Sequence, residues 1–224
     1  MSLAQSVVVN GLRWLTSLIC CIDASQISQV PERGPLIIVT NHINMLEIPV
    51  VYTRLQPRHV TGYVAAVRWE HGWSRWLLEV CQAIPLRRGE PDVKAIRRGL
   101  EMLQQGYQVI VMPEGTRSGH GRLQPAHPGV ILLALHSGAP ILPVAFYGHE
   151  DYLKNLKRLR RTDIVIAVGE PFRLESGGLK VTRQVRRDML DQVMRQLAAL
   201  LPEKNRGVYT NMKGIGVNYL KFET

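Results

Sequence analysis

The sequence has few cysteines and few aromatic residues, and each shortage excludes a class of protein. Three cysteines occur among 224 residues, with Cys20 and Cys21 adjacent and Cys81 alone. This pattern offers neither a disulfide framework nor metal-ligand spacing, so we expect a reducing compartment and no metal. Aromatic residues make up only 6% of the chain. Because they are not interleaved with a basic stretch, as in a surface that stacks bases, we expect no nucleic-acid partner.

Acidic residues are also scarce relative to basic ones. The chain has 18 Asp and Glu against 28 Lys and Arg, which gives a formal net charge of +10. Such an excess favours an anionic partner, but net charge alone does not choose among nucleic acid, a phospholipid surface and a phosphorylated substrate. The shortage of aromatic residues favours the last two.

The apolar run near the N-terminus is short for a bilayer-spanning helix, which needs about 20 apolar residues. It covers residues 6–22 and is interrupted by Asn10, Gly11 and Arg13. No charged segment precedes it and no clear cleavage site follows, so we expect no signal peptide. As an amphipathic helix it either packs on the domain or lies in a membrane interface. We assign residues 1–30 to an N-terminal amphipathic, membrane-associating segment.

Apolar runs typical of strands alternate with segments of helical periodicity. Several runs are continuous, as in strands buried on both faces of a sheet. The predicted strands are 36–40, 60–67, 83–86, 107–112, 140–146 and 163–169. The predicted helices lie between Pro91 and Gly106, over 129–138 and over 181–201. This alternation predicts an α/β fold with a mostly parallel central sheet flanked by helices.

We expect one domain over residues 31–204. A chain of 224 residues is long enough for one large domain, and no repeat, low-complexity segment or linker divides it. Residues 205–224 form a C-terminal tail that contains several glycines, and we expect it to be loosely packed.

His42 and Glu47 follow the first predicted strand, in the stretch NHINMLEIP (41–49). Five helical steps would leave the two side chains about 140° apart, so they do not share a regular helix face. They meet if His42 lies on the turn and Glu47 in the first helical turns. A carboxylate on one imidazole nitrogen would raise the basicity of the other, which could then take a proton from a hydroxyl. The alternative is a histidine that satisfies a carbonyl beside a solvated glutamate.

Two further stretches place charged residues after predicted strands. MPEGTRSGHGRL (112–123) combines glutamate and arginines with three glycines, which let backbone N–H groups approach an anion. IPLRRG (84–89) ends in adjacent arginines. Ligands of open α/β sheets bind at the carboxyl ends of strands, so these stretches and His42 could face one crevice. Taken singly, each is also consistent with a charged surface turn, and APILPVAF (139–146) is more typical of core than of a site.

In order and spacing, these stretches resemble the four blocks of the glycerolipid acyltransferases similar to 1-acylglycerol-3-phosphate acyltransferase. The resemblance covers roughly residues 34–170 and implies a glycerol-3-phosphate acyltransferase-like α/β fold. It implies His42 as the catalytic base and Glu47, where the family usually has Asp, as the residue that orients it. The implied residues for binding the acceptor and its phosphate are Arg88, Glu114, Gly115, Thr116 and Arg117. Pro143 would line the acyl or acceptor pocket.

The same resemblance implies an enzyme that needs no cofactor beyond its acyl donor. The donor would be a thioester, either acyl-CoA or acyl carrier protein, and the acceptor a lysophospholipid, with 1-acyl-sn-glycerol 3-phosphate as the default. The implied location is the cytoplasmic face of the membrane, peripheral or monotopic, on an anionic lipid surface. Another glycerol-phosphate or lysolipid acceptor remains open.

Two other functions are weighed against this one. A non-catalytic phospholipid-binding protein would keep the phosphate loop but transfer nothing. A serine hydrolase would need a GxSxG elbow, which Ser118 in GTRSG does not provide. Four other histidines, His59, His71, His136 and His149, are interpreted as surface or packed residues, whereas His120 and His127 flank the loop and could touch the acceptor.

Overall fold

The fold is described by a computed structural model for residues 2–87, 89, 92–211 and 217–222. Within these residues, helices cover a central sheet of nine strands, which confirms the predicted α/β fold. The strands are β1 (Cys20–Asp23), β2 (Leu36–Thr40), β3 (Val60–Ala65), β4 (Ile84–Leu86), β5 (Gln108–Val111), β6 (Ile141–Tyr147), β7 (Thr162–Val168), β8 (Phe172–Leu174) and β9 (Leu220–Phe222). The α-helices are α1 (Leu3–Ile19), α2 (Glu47–Arg54), α3 (Gly72–Val80), α4 (Val93–Gln104), α5 (Gly129–Ser137), α6 (Tyr152–Lys157) and α7 (Arg183–Ala199).

The centre of the sheet is parallel, as predicted. The main strand order is β1-β7-β6-β2-β5-β3-β4, and the five strands from β6 to β4 run in the same direction. β7 is antiparallel to β6, while β8 pairs antiparallel with both β6 and β9. Because β2, β5 and β6 are adjacent and parallel, their carboxyl ends meet at one edge, and the segments that follow them come together there.

The residues of β2 pack alternately on the two faces of the sheet. Ile37 and Val39 lie in the core formed with α4, α5 and α7, whereas Leu36 and Ile38 lie in the core formed with α2. All five residues of the strand are buried, which explains the continuous apolar run. Helices therefore cover β2 on both faces of the sheet, and the strand leads directly into the turn that contains His42.

The N-terminal segment is only partly a separate helix. Ser2 caps α1 by accepting a hydrogen bond from the Gln5 amide, and the helix ends at Ile19. From Cys20 the chain forms β1, parallel to β7, and Ile27 and Val30 lie in the core beside α2. The sequence prediction missed β1 because its residues continue the apolar run, and only pairing with β7 distinguishes strand from helix. None of the helices within the described residues has the length and hydropathy to span a bilayer.

Part of the predicted C-terminal tail packs against the domain. Tyr209 and Tyr219 are buried, and the Tyr209 hydroxyl accepts a hydrogen bond from the Ala126 amide at 3.2 Å. β9 then joins the sheet beside β8. Residues 212–216 lie outside the described part of the chain. The glycines suggested loose packing, but the buried side chains of Tyr209 and Tyr219 hold part of the tail against the domain.

Candidate active site

The end of β2 is fixed against β6 by one asparagine. The Asn41 amide nitrogen donates to the Phe146 carbonyl at 2.8 Å, and the Phe146 amide donates to the Asn41 side-chain oxygen at 2.8 Å. Asn41 is 2% exposed, so these two bonds form in a region that excludes water. They hold the next residue, His42, at the carboxyl edge of the sheet.

The turn from His42 to α2 folds around the Glu47 carboxylate. Glu47 is the first residue of α2, and its Oε1 accepts hydrogen bonds from the amides of Ile43 at 2.6 Å and Asn44 at 2.9 Å. A negative charge is also favourable at the N-terminus of a helix. This arrangement confirms the geometric condition set by the sequence, with His42 on the turn and Glu47 in the first helical turn.

His42 and Glu47 meet inside the protein. His42 Nδ1 lies 3.7 Å from Glu47 Oε2, and the two residues are 4% and 1% exposed. A shortening of about 1 Å would bring the pair to hydrogen-bond distance. Nδ1 is the fully buried nitrogen of the ring, which leaves Nε2 as the nitrogen that can meet a substrate. The arrangement suits a general base with an attached orienting carboxylate.

A second histidine binds the same carboxylate, and the sequence interpretation missed it. His149 Nε2 lies 2.8 Å from Glu47 Oε1, and His149 is 0% exposed. It follows β6, the strand next to β2, so it reaches the same edge of the sheet as His42. The rule that placed the other stretches at the carboxyl ends of strands would have placed His149 there too, had it been applied to β6.

The surroundings of Glu47 keep it ionised. Burial alone would raise the pKa of Glu47, but the imidazoles of His149 and His42 and the amide of Asn44 outweigh that effect and lower the pKa to about 2. At neutral pH a carboxylate therefore faces His42 Nδ1, which favours the tautomer with its proton on Nδ1 and a lone pair on Nε2.

Glu114 holds the His42 backbone to the next loop. Its Oε1 accepts the His42 amide at 2.8 Å, and its Oε2 accepts the Gln124 amide at 2.9 Å. Glu114 is 2% exposed, and burial raises its pKa to about 7 despite the two amides, with a further rise from the charge of Glu47. Both oxygens of Glu114 thus bind amides of the protein and hold the two segments together. The role suggested for Glu114 in acceptor binding stays a prediction.

The loop after Glu114 is bonded to the His42 turn along its backbone. The amides of Ser118 and Gly119 donate to the carbonyls of His42 at 2.8 Å and Ile43 at 2.9 Å. The glycines of the loop all have positive φ, which a residue with a side chain adopts only with strain: Gly115, Gly119 and Gly121. Several loop amides are therefore already engaged inside the protein and are not free to bind an oxyanion.

Thr116 and Arg117 lie on the exposed side of this loop, one and two residues before Ser118. Gly115 is half-buried, and the space where a side chain would project is occupied by the His127 ring, 3.2 Å from the ideal Cβ position. The Arg117 side chain is exposed on a loop whose backbone is bonded to the His42 turn, and a guanidinium in such a place is suited to an anionic ligand.

The structure does not connect Pro143 to this cluster, and it does not describe Arg88. Arg88 lies outside the described residues; its neighbour Arg87 is exposed, and the Arg87 amide donates to Asp92, which caps α4. Pro143 is buried on β6 opposite Val39 and lines a cavity of about 430 Å³ beside α7. Neither His42 nor the loop lines that cavity. The roles suggested for Arg88 and Pro143 stay predictions.

Comparison with known proteins places these features in a family. The sequence profile of the Acyltransferase family matches residues 21–147, more than half of the chain. A lyso-ornithine lipid O-acyltransferase of Pseudomonas aeruginosa is 28% identical over 164 residues, 66% of this chain and 62% of that protein. A chloroplastic 1-acyl-sn-glycerol-3-phosphate acyltransferase of Brassica napus is 32% identical over 133 residues, 56% of this chain and 37% of that protein. The chain thus spans less than two thirds of the length of both relatives.

A solved structure has the same fold. The crystal structure of the 1-acyl-sn-glycerophosphate acyltransferase PlsC from Thermotoga maritima is similar with a TM-score of 0.64 and 21% identity, over 88% of this chain and 79% of that one. The family profile spans the turn with His42 and Glu47 and the loop with Arg117, the two features that the structure brings together. The chain belongs to the acyltransferase family.

Proposed function

We propose that the protein is an O-acyltransferase that moves a fatty acyl group from a thioester to a hydroxyl of a lysophospholipid. The observation that supports this most strongly is the buried His42–Glu47 pair, bonded through the backbone to a loop with an exposed arginine. Family membership supports acyl transfer as the chemistry. The names of the relatives support a lysolipid acceptor, and 1-acyl-sn-glycerol 3-phosphate fits the cationic loop.

In the proposed mechanism, the acceptor is acylated in a single displacement. His42 Nε2 takes the hydroxyl proton while Glu47 holds the ring through Nδ1–H. The hydroxyl oxygen forms a bond to the thioester carbonyl carbon, and the carbon–sulfur bond breaks. The departing sulfur then receives the proton from His42, so the base is regenerated without an acyl-enzyme. Thr116 and Arg117, with Arg88, would hold the acceptor phosphate, and Glu114 would keep the His42 backbone in place.

A membrane surface is the proposed source of the acceptor. α1 exposes Leu3, Val7, Trp14 and Leu18, and α3 exposes Trp73 and Trp76. Exposed tryptophans and leucines on amphipathic helices are typical of proteins that lie in a membrane interface. These side chains support peripheral attachment to a membrane, and the cytoplasmic face is proposed from the family resemblance alone.

A basic segment extends this surface. Residues 154–161 contain five Lys or Arg, and Leu153, Leu156 and Leu159 are exposed beside them. The Arg161 guanidinium donates to the carbonyls of Ser17 and Cys20, which ties the segment to the end of α1. Lysines and arginines near an anionic lipid surface each contribute about 1 kcal/mol to binding.

Product analysis with a matrix of substrates tests this function. The purified full chain is incubated in detergent–lipid micelles with acyl-CoA or acyl carrier protein as donor. The acceptors are 1-acyl-sn-glycerol 3-phosphate, lyso-ornithine lipid and glycerol 3-phosphate, and products are identified by mass. We expect acylation of a lysolipid, greatest with the phosphate-bearing one. Binding of anionic micelles without transfer from either donor would favour the phospholipid-binding alternative, and release of free fatty acid through an acyl-Ser118 intermediate would favour a hydrolase.

A further inference from the structure

The Glu47 carboxylate lies between two imidazoles, and the second of them has no part in the mechanism above. His149 and Glu47 are 0% and 1% exposed. His149 Nε2 is 2.8 Å from Glu47 Oε1, whereas His42 Nδ1 is 3.7 Å from Oε2. The shorter contact is therefore with the histidine that lies deeper in the protein.

The two oxygens of Glu47 face different histidines. Oε1 accepts the amides of Ile43 and Asn44 and lies at hydrogen-bond distance from His149. Oε2 also accepts the Asn44 amide, at 3.1 Å, and is the oxygen that faces His42. With Oε1 bonded on three sides, rotation of the carboxylate about its own axis would break several bonds at once. The direction of Oε2 toward His42 is thus set by the partners of Oε1.

The backbone of His149 is itself held in place. Its carbonyl accepts a hydrogen bond from the Asn44 side-chain amide at 2.9 Å, which ties it to the turn that contains Glu47. The preceding Gly148 has φ +97, and a Cβ there would lie 2.7 Å from the Asp163 carbonyl oxygen. Only glycine allows the chain to turn so close to β7 and bring the next side chain inward.

We infer that His149 is a positioning residue for acyl transfer, an inference that rests on the proposed function. It donates Nε2–H to Glu47 Oε1, keeps that carboxylate ionised and directs Oε2 at His42 Nδ1. It does not touch the reacting groups, so it acts only through Glu47.

The surroundings of the ring favour a donor proton on Nε2 of His149. Nε2 faces the Glu47 carboxylate, which accepts a hydrogen bond, at 2.8 Å. Nδ1 is buried and makes no hydrogen bond within the described residues, so a proton there would be an unpaired N–H. The geometry therefore makes His149 a donor to Glu47 through Nε2.

A donor-retaining and a donor-lacking variant separate positioning from packing. Gln places an amide N–H near the position of the imidazole Nε2–H, whereas Leu fills similar space without a donor. We expect His149→Leu to lower kcat about 30-fold, because the Glu47 carboxylate is no longer oriented toward His42. KM for donor and acceptor should stay within about 2-fold of the wild type, because the binding loop is unchanged. His149→Gln should regain activity to within about 5-fold of the wild type. The exposed His136 on α5 provides the control, and His136→Leu should behave as wild type.

A double-mutant cycle tests whether the effect passes through Glu47. In a Glu47→Ala background the same His149→Leu change should cost less than about 3-fold, since the carboxylate it directs is gone. A 30-fold loss in both backgrounds, or no recovery with Gln, would overturn the inference and leave His149 as a packing residue.

Histidine ring ¹⁵N NMR on the full chain tests the hydrogen bond without reference to activity. The expected result is a protonated Nε2 on His149 with a strongly downfield proton that disappears in Glu47→Ala and persists in His42→Ala. A proton on Nδ1 instead would overturn the inference even if acyl transfer is observed and even if His149→Leu does not fold. If the downfield proton is present but the wild type transfers no acyl group, the proposed function fails while the bond itself stands.

Discussion

The turn that holds His42 and Glu47 lies beside the loop from Gly115 to Arg122, yet the two are built in opposite ways. In the turn, the ionisable side chains are buried and paired with one another or with backbone amides. In the loop, Thr116, Arg117 and Arg122 are exposed, and the bonds that hold it come from its backbone. A base must be held rigidly to act, whereas a cation that binds a substrate must remain accessible.

Glu114 joins the two regions. Its carboxylate accepts one amide from the turn and one from the segment after the loop, so a shift of either backbone moves the other. In the loop, the amides of Ser118 and Gly119 donate to the carbonyls of His42 and Ile43 in the turn. The position of the loop backbone relative to His42 is thus set by hydrogen bonds, and replacing one side chain at a time separates the two regions.

The largest of these effects is expected from the turn. Glu47→Gln should lower kcat by about two to three orders of magnitude, because an amide cannot stabilise the imidazolium that forms on His42. Acceptor KM should change less than about 3-fold. The half-buried Glu101 on α4, which pairs with surface arginines, supplies the control, and Glu101→Gln should match the wild type in steady-state kinetics. If Glu47→Gln retained full kcat, the turn would have no part in the chemistry.

The buried link between the regions should make stability depend on pH. Glu114 has a pKa of about 7 in the folded protein and an ordinary value of 4.5 when unfolded. The folded state then binds the extra proton, so this contribution is fully present below about pH 4.5 and is lost as pH rises through 7. Ionisation at pH 8 should remove about 3 kcal/mol of unfolding free energy, and Glu114→Gln should lack that term.

Urea unfolding at pH 4.5 and pH 8 measures this difference for the wild type and the Glu114 variant. Histidines contribute equally in both proteins. The quantity to compare is therefore the change in unfolding free energy between pH 4.5 and pH 8 in the wild type and in the variant. The same pH dependence of the unfolding free energy in both proteins would show that burial does not hold the proton on Glu114.

The exposed loop should respond in binding and not in turnover. Arg117→Gln should raise KM for 1-acyl-sn-glycerol 3-phosphate about 10- to 30-fold with kcat within about 3-fold, because a bidentate contact to phosphate is lost. With a monoacylglycerol that lacks the phosphate, the same variant should resemble the wild type. Arg97→Gln on α4 serves as the surface control. An equal penalty on both acceptors would separate Arg117 from phosphate binding.

The smallest effect is expected for membrane binding by the exposed tryptophans of α3, which lie outside both the turn and the loop. Replacing Trp73 and Trp76 with Ser should weaken binding to anionic vesicles about tenfold, since two interfacial aromatic side chains are lost. Arg117→Gln should alter vesicle binding less than 2-fold. Vesicle sedimentation distinguishes the two, and a larger loss with Arg117→Gln would assign the loop arginine to the lipid surface.

The buried β2, β5, β6 and β7 were predictable because strands that are buried on both faces of a sheet have nearly continuous apolar sequences. The meeting of His42 and Glu47 was predictable from a turn that follows a buried strand. β1 was not, because Cys20–Asp23 becomes a strand only by pairing with β7, about 140 residues later in the chain. His149 was missed for a related reason: its place beside Glu47 follows from β2 and β6 being neighbours, and local sequence does not encode strand order.

The most direct test of the account is the initial rate of acyl transfer to 1-acyl-sn-glycerol 3-phosphate by the wild type and by His42→Ala, with thioester donor at saturation. The account predicts transfer by the wild type and a loss of about three orders of magnitude or more in the variant, with binding of the acceptor unchanged. Near-full activity of His42→Ala would contradict it.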